Sequence, residues 1–266
     1  MPVYAFANQK GGVGKTTSAV NLAAYLAAVG RSVLLVDLDP QGNATASLGI
    51  DRSVLRRSIH EALVDGAPLA ERILPTRWEG LHLAPAALDL AGAEVGLVSA
   101  PEREFRLRRA LEEIRSAYAY VLIDCPPSLG LLTLNALVAA DALIVPVQCE
   151  YLALEGLSRL LQTMTRVRQR FNARLHVRGF LLTMFDARSR LAQQVVEEVR
   201  HHFPGRVFRT VIPRSVRLAE APSYGLPIVA YAPNSSGALA YAALAQELLQ
   251  GDGLLVPSLE GGAHGA

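Results

Sequence analysis

Of the 26 basic residues in this 266-residue chain, 24 are arginine and two are lysine, and both lysines fall within the stretch Lys10-Gly-Gly-Val-Gly-Lys-Thr-Thr17. A lysine offers a compact ammonium on a flexible stem, whereas the wide fork of arginine does not fit where backbone amides close around a phosphate. Gly11, Gly12 and Gly14, with Val13 between them, let the backbone wrap with its N–H groups turned inward. An apolar run, Val3 to Asn8, precedes the stretch, and helical periodicity from Lys15 to Val29 follows it. Strand, glycine loop and helix are the context a phosphate-binding P-loop requires. In such a loop Lys15 reaches the terminal phosphates, Thr16 offers a hydroxyl to Mg²⁺, Thr17 continues the first helical turn, and the helix N-terminus adds its positive end.

Carboxylates are spaced to meet that loop. Asp124 closes the apolar run Tyr120-Val-Leu-Ile-Asp124 ahead of Cys-Pro-Pro, which puts it at the carboxyl edge of a sheet, where α/β ligands bind. It suits a Walker B role towards Mg²⁺. Asp37 and Asp39 end Val33-Leu-Leu-Val-Asp-Leu-Asp-Pro40 at the same edge. For Asp37, and less so for Asp39, capping the following turn is the competing reading.

The elements that must position these groups alternate along the chain as short β-branched runs and amphipathic stretches. This predicts an α/β fold: one domain, residues 1–250, with a mostly parallel twisted sheet covered by helices on both faces. Predicted strands are Val3 to Asn8, Ser32 to Asp37, Leu81 to Ala84, Tyr120 to Asp124, Ala142 to Val147, Val177 to Met184 and Arg206 to Val211. Predicted helices are Lys15 to Val29, Pro101 to Ser116, Leu131 to Ala139, Leu157 to Phe171, Ser189 to His202 and Gly237 to Gln250. Gly251 to Ala266, glycine-rich and without periodicity, reads as a disordered tail.

A hydrophobic content of 51% supports a substantial core, and the net charge of +2 hides an uneven distribution. Residues 1–150 carry 13 basic and 16 acidic side chains, whereas residues 151–250 carry 13 arginines against 6 acids. An anionic partner for the second half is expected. The two cysteines, Cys125 and Cys149, each end an apolar run and read as buried thiols. His201-His202 reads as solvated and Trp78 as a partly exposed packing residue. No apolar run is long enough to span a membrane, and a cytoplasmic protein is expected.

Together Lys10, Val36-Asp-Leu-Asp-Pro-Gln-Gly-Asn43 and Asp124-Cys-Pro-Pro-Ser-Leu-Gly130 resemble the deviant Walker A ATPases, and within them the chromosome-partitioning ParA/Soj branch, from about Val3 to Leu249. The resemblance implies ATP and Mg²⁺ as cofactors. It implies that Lys10 reaches across an ATP-sandwich homodimer to the partner's phosphates while Lys15 serves its own subunit. Asp39 takes the position that orients the attacking water, and Thr16, Asp39 and Asp124 form the implied Mg²⁺ group. Leu182-Thr-Met-Phe-Asp-Ala-Arg188 and Val211-Ile-Pro-Arg-Ser-Val-Arg-Leu-Ala-Glu-Ala-Pro222 are also similar to this branch. They imply an adenine pocket bounded by Pro213 and Arg214, with Ser215 where asparagine is usual.

Arg188 and Arg217 match the arginines that bind double-stranded DNA without sequence preference, with Arg166, Arg168 and Arg190 as accessory candidates. The implied partner is a ParB/Spo0J-type centromere-binding protein that stimulates hydrolysis, and the implied place is the nucleoid. No helix-turn-helix domain precedes the first strand, so sequence-specific reading is not expected. The alternative is a MinD-like membrane-cycling ATPase, which needs a basic amphipathic C-terminal helix; Gly251 to Ala266 has no basic residue but His264. An iron–sulfur carrier would need Cys125 and Cys149 in exposed loops. A metabolic ATP-dependent ligase would leave the basic half unexplained.

Overall fold

The computed structural model describes residues 1–151 and 153–254, with the side chains of residues 153–155 outside that description. Among the described residues one sheet contains β1 (Val3–Phe6), β2 (Val33–Asp37), β3 (Leu74–Pro75), β4 (Leu81–Ala84), β5 (Tyr120–Asp124), β6 (Ala142–Gln148) and β7 (His176–Thr183). Their order is β3-β4-β2-β5-β1-β6-β7, and every pairing is parallel except β3 with β4. The central strands β1, β2 and β5 are buried along their whole length, as unbroken apolar runs in a doubly covered sheet require. Side chains alternate between two cores: Val3 and Ala5 face one, Tyr4 and Phe6 the other.

Helix α1 (Lys15–Ala28) makes the crossover from β1 to β2, and α2 (Asn43–Ser47) follows β2. The helices α3 (Ile59–Val64), α4 (Ala93–Val98), α5 (Arg106–Glu112), α6 (Leu131–Ala139), α7 (Ala153–Arg170) and α8 (Arg190–His202) cover one face. Three more, α9 (Val216–Glu220), α10 (Ile228–Tyr231) and α11 (Ser236–Gly251), pack with α1 on the other. Helix α1 is buried nearly all round because it is wedged between the sheet and α11. Full burial of Leu22 or Leu26 there stabilises by about 1.5–3 kcal/mol each.

Three sequence expectations are corrected. Arg206 to Val211 forms no strand: it touches β7 through the isolated bridge Phe180 to Val207. The Thr210 N–H, which a ladder to β7 would need after that of Phe208, donates instead to the Glu247 carboxylate on α11 at 2.9 Å, beside the Arg209 N–H at 2.7 Å. The expected helix from Pro101 to Ser116 shrinks to a 3₁₀ turn, Arg103–Phe105, followed by α5. Glu102 adopts a left-handed φ of 50°, which breaks helical geometry before Arg103. The boundary at Gln250 falls short of the packed structure: α11 continues to Gly251, and Asp252 accepts hydrogen bonds from Tyr4 Oη, Tyr120 Oη and Arg178 Nε. Residues 255–266 of the expected tail lie outside the described residues.

Candidate nucleotide site

β1 ends at Phe6 and α1 starts at Lys15, so the glycine loop spans the carboxyl edge at the middle of the sheet. Gly12 and Gly14 take φ of 73° and 85°, left-handed values that a side chain would strain. Two residues that the motif does not contain hold the loop. Asn8 donates to Pro146 O on β6 at 2.7 Å and accepts from the Lys10 N–H at 3.0 Å. Thr183, at the end of β7, donates its hydroxyl to Val13 O at 2.9 Å. Neither was singled out from sequence; each signal was a small polar residue ending an apolar strand.

Lys15 is buried, and its Nζ donates to Lys10 O at 3.3 Å. Burial lowers its pKa, and Asp124, Cys125 and Asp39 pull it back up. Thr16 and Thr17 are half-buried in the first turn of α1. Lys10 is exposed, and its Nζ lies 3.8 Å from the Glu150 carboxylate in the same chain.

The carboxylates converge because β2 and β5 pair with Asp37 beside Asp124. Their hydrogen bonding differs. Asp37 accepts from Thr45 N at 2.8 Å, Thr45 Oγ1 at 2.7 Å and Asp39 N at 3.2 Å, so it anchors the start of α2, the turn-capping role weighed from the sequence. Asp39 is buried, and its Oδ1 accepts from Gln41 N at 2.9 Å. Both oxygens of Asp124 are buried without a hydrogen-bond partner. Burial first, then Asp37 and Asp39, push its carboxyl well above the usual range, against the nearby Thr16 hydroxyl and Lys15. Burial raises Asp37 too. Three crowded carboxylates against one buried ammonium, two of their oxygens unsatisfied, make a site with the charge and donor set for a divalent cation.

Beside the loop opens a cavity of about 390 Å³ whose lining includes Gly14, Thr17, Met184, Pro213, Arg214 and Ser215. It is mostly apolar and could take a flat aromatic base. The segment with Pro213 and Arg214 is tied to the end of β7 by the Phe185 to Pro213 bridge and by Arg214 N donating to Phe185 O at 2.9 Å. The same junction carries the two candidate DNA arginines out of the site. Arg188 is 91% exposed and chelated by Asp186 at 2.9–3.0 Å; Arg217 is 60% exposed and pairs with Glu220 at 3.0 Å. The Arg188 guanidinium holds the Asp186 carboxyl down at about 2.

Cys125 and Cys149 are buried, and burial raises both thiols, Cys149 to about 11. His201 and His202 are exposed and Trp78 is half-buried. Among the described residues no helix is long and apolar enough to cross a membrane.

Residues 1–177 match the AAA domain family. The chain is 54% identical over 246 residues to the sporulation initiation inhibitor protein Soj of Bacillus subtilis, covering 92% of this chain and 97% of that protein. It is 54% identical over 250 residues to the chromosome partitioning protein ParA of Myxococcus xanthus, covering 94% and 88%. Among solved structures, a cobyrinic acid a,c-diamide synthase from Mycobacterium smegmatis with bound ADP and magnesium superposes with a TM-score of 0.83 at 42% identity, covering 94% of each chain. The relatives named for partitioning are the more similar, and with the phosphate loop and carboxylates at the sheet edge they place the chain in the ParA/Soj family of chromosome-partitioning P-loop ATPases.

Proposed function

We propose that the chain is a Mg²⁺-ATP-driven segregation switch: nucleotide binding builds a sandwich dimer, the dimer holds DNA without sequence preference, and hydrolysis stimulated by a ParB-type partner resets it. The observation that carries this reading is Asp124, a buried carboxylate with both oxygens unsatisfied beside Lys15 and Thr16. Lys15 and the Gly11 to Thr17 amides bind the phosphates, and Pro213 and Arg214 bound the base. Asp39 orients the attacking water. Thr16 and Asp124, with Asp39 close by, would hold Mg²⁺, which would supply neutralisation of the charge developing on the transferred phosphoryl group. Lys10 is exposed and held by a half-exposed Glu150, an ion pair weak enough to surrender to a second subunit's phosphates. A lysine supplied in trans then performs the part of an arginine finger.

The test is light scattering and DNA retention with ATP, with ADP and without nucleotide. Asp39→Ala is expected to trap the DNA-bound dimer, and Lys15→Ala never to form it. Arg188→Ala with Arg217→Ala is expected to dimerise without retaining DNA. Equal retention in all nucleotide states, or a monomeric Asp39→Ala protein in saturating Mg-ATP, rules the switch out.

A further inference from the structure

Arg52 belongs to none of the phosphate motifs. It sits in the 3₁₀ turn Arg52–Val54 beyond α2 and is half-buried. Its side chain bonds four backbone carbonyls: Nε donates to Ala86 O at 3.0 Å, one terminal nitrogen to Pro40 O at 2.6 Å and Ala87 O at 3.2 Å, and the other to Gln41 O. Two of these carbonyls lie on the turn that carries Asp39, and two on the segment after β4. The guanidinium clamps one to the other with a fixed planar fork, a geometry that a lysine ammonium cannot copy.

The clamp reaches Asp39 through a single rigid plate. Pro40 C=O and Gln41 N–H belong to one planar peptide unit, so holding the carbonyl end fixes the direction of the N–H end. That N–H is the donor to Asp39 Oδ1 at 2.9 Å. The far anchor is itself fixed, since Ala86 N donates to Thr45 Oγ1 at 3.0 Å and Thr45 Oγ1 donates to Asp37 at 2.7 Å. Gly42 leaves the room required: a Cβ there would collide with the Arg52 guanidinium.

We infer that Arg52 is a positioning residue for ATP hydrolysis, holding the Pro40–Gln41 peptide and through it the Asp39 carboxylate in the orientation that directs the attacking water. The inference rests on the ATPase reading and on Asp39 as the water-orienting group. Arg52 belongs neither to the glycine loop nor to the lining of the proposed base cavity, so its loss should separate turnover from binding.

The experiment measures single-turnover hydrolysis of bound Mg-ATP, ATP affinity and Tm for wild type, Asp39→Ala, Arg52→Ala, Arg52→Lys, Gly42→Ala, the double Gly42→Ala/Arg52→Ala and the exposed Arg56→Ala. Hydrolysis by Arg52→Ala and Arg52→Lys is expected to slow roughly 10- to 100-fold, with ATP affinity held within about twofold. Gly42→Ala, which expels the guanidinium and also strains a left-handed φ of 61°, is expected to be at least as slow. The double variant should be no slower than the slower single one, because the clamp cannot be lost twice. Arg56→Ala should hydrolyse like wild type. Wild-type hydrolysis by folded Arg52 variants, or a loss of rate matched by an equal loss of ATP affinity, overturns the inference. A wild type that does not hydrolyse ATP, or an Asp39→Ala protein that hydrolyses it normally, defeats the underlying reading instead.

Discussion

Asp37 and Asp124 are register neighbours in adjacent strands, yet one carboxylate accepts three hydrogen bonds and the other none of comparable geometry, with the Thr16 hydroxyl its nearby donor. The free fold therefore carries a cost at Asp124 that ligand binding can relieve. Its raised pKa means that, between the ordinary carboxylate range and the raised value, the folded protein keeps a proton that the unfolded chain releases. Nucleotide-free stability must then fall as pH climbs through that window. Asp124→Asn removes the titrating buried carboxyl and should stabilise the nucleotide-free protein at neutral pH, read as a higher Tm. The gain should shrink towards pH 5, and the variant should lose Mg²⁺-dependent hydrolysis. Part of the slope should persist, because Asp37 is raised as well. Thermal scans from pH 5 to 8 check the sign; a variant less stable at pH 8 than wild type contradicts it. At this scale the lysines and acids were legible because their types and spacing within one motif are the signal. Asn8, Thr183 and Arg52 were not, because their partners lie far along the chain.

The same contrast governs elements. Central strands announce themselves because burial on both faces demands unbroken apolar runs, and α1 is readable because it must close on a glycine loop. The two-residue β3 has no period to read, and Arg206 to Val211 looked like a strand until Glu247 took its donors. Such outcomes are decided by contacts across the fold, not by local preference. Between elements, Thr183 binds the end of β7 to the glycine loop at Val13 O. Thr183→Val keeps the shape and leaves that buried carbonyl unpaired, a loss of about 1–1.5 kcal/mol. If the loop bears the loss, ATP affinity should drop roughly 5- to 10-fold in a fluorescent-nucleotide titration, with a Tm change of only a few degrees. Unchanged affinity would mean that the loop holds its form without β7.

Across the whole molecule, the acidic half of the chain builds the phosphate loop and its carboxylates, and the basic half carries the candidate DNA arginines Arg188 and Arg217. The Phe185 to Pro213 bridge joins the two segments bearing Arg188 and Arg217 next to the proposed base cavity, which gives the proposed switch a short backbone route from nucleotide to both. Each arginine is already occupied by an internal acid, Asp186 or Glu220. If these arginines bind DNA as proposed, a phosphate must displace a carboxylate, which would weaken each contact and leave summation over the two subunits of the proposed dimer to make the affinity. If each dimer uses both pairs, removing Arg188 and Arg217 should flatten the plot of log affinity for DNA against log salt by roughly 3 to 4 units, about 0.9 per phosphate contact. Asp186→Asn with Glu220→Gln should do the reverse. Their exposed pairs are weak, so DNA binding should tighten only about two- to fivefold per site, but in every nucleotide state. A titration of ATP-bound dimer on random-sequence duplex between about 50 and 200 mM salt reads both effects. A salt slope unchanged by the double arginine variant would move the DNA face elsewhere on the basic half. Tightening confined to the ATP state would mean that the acids report the dimer and do not compete with phosphate.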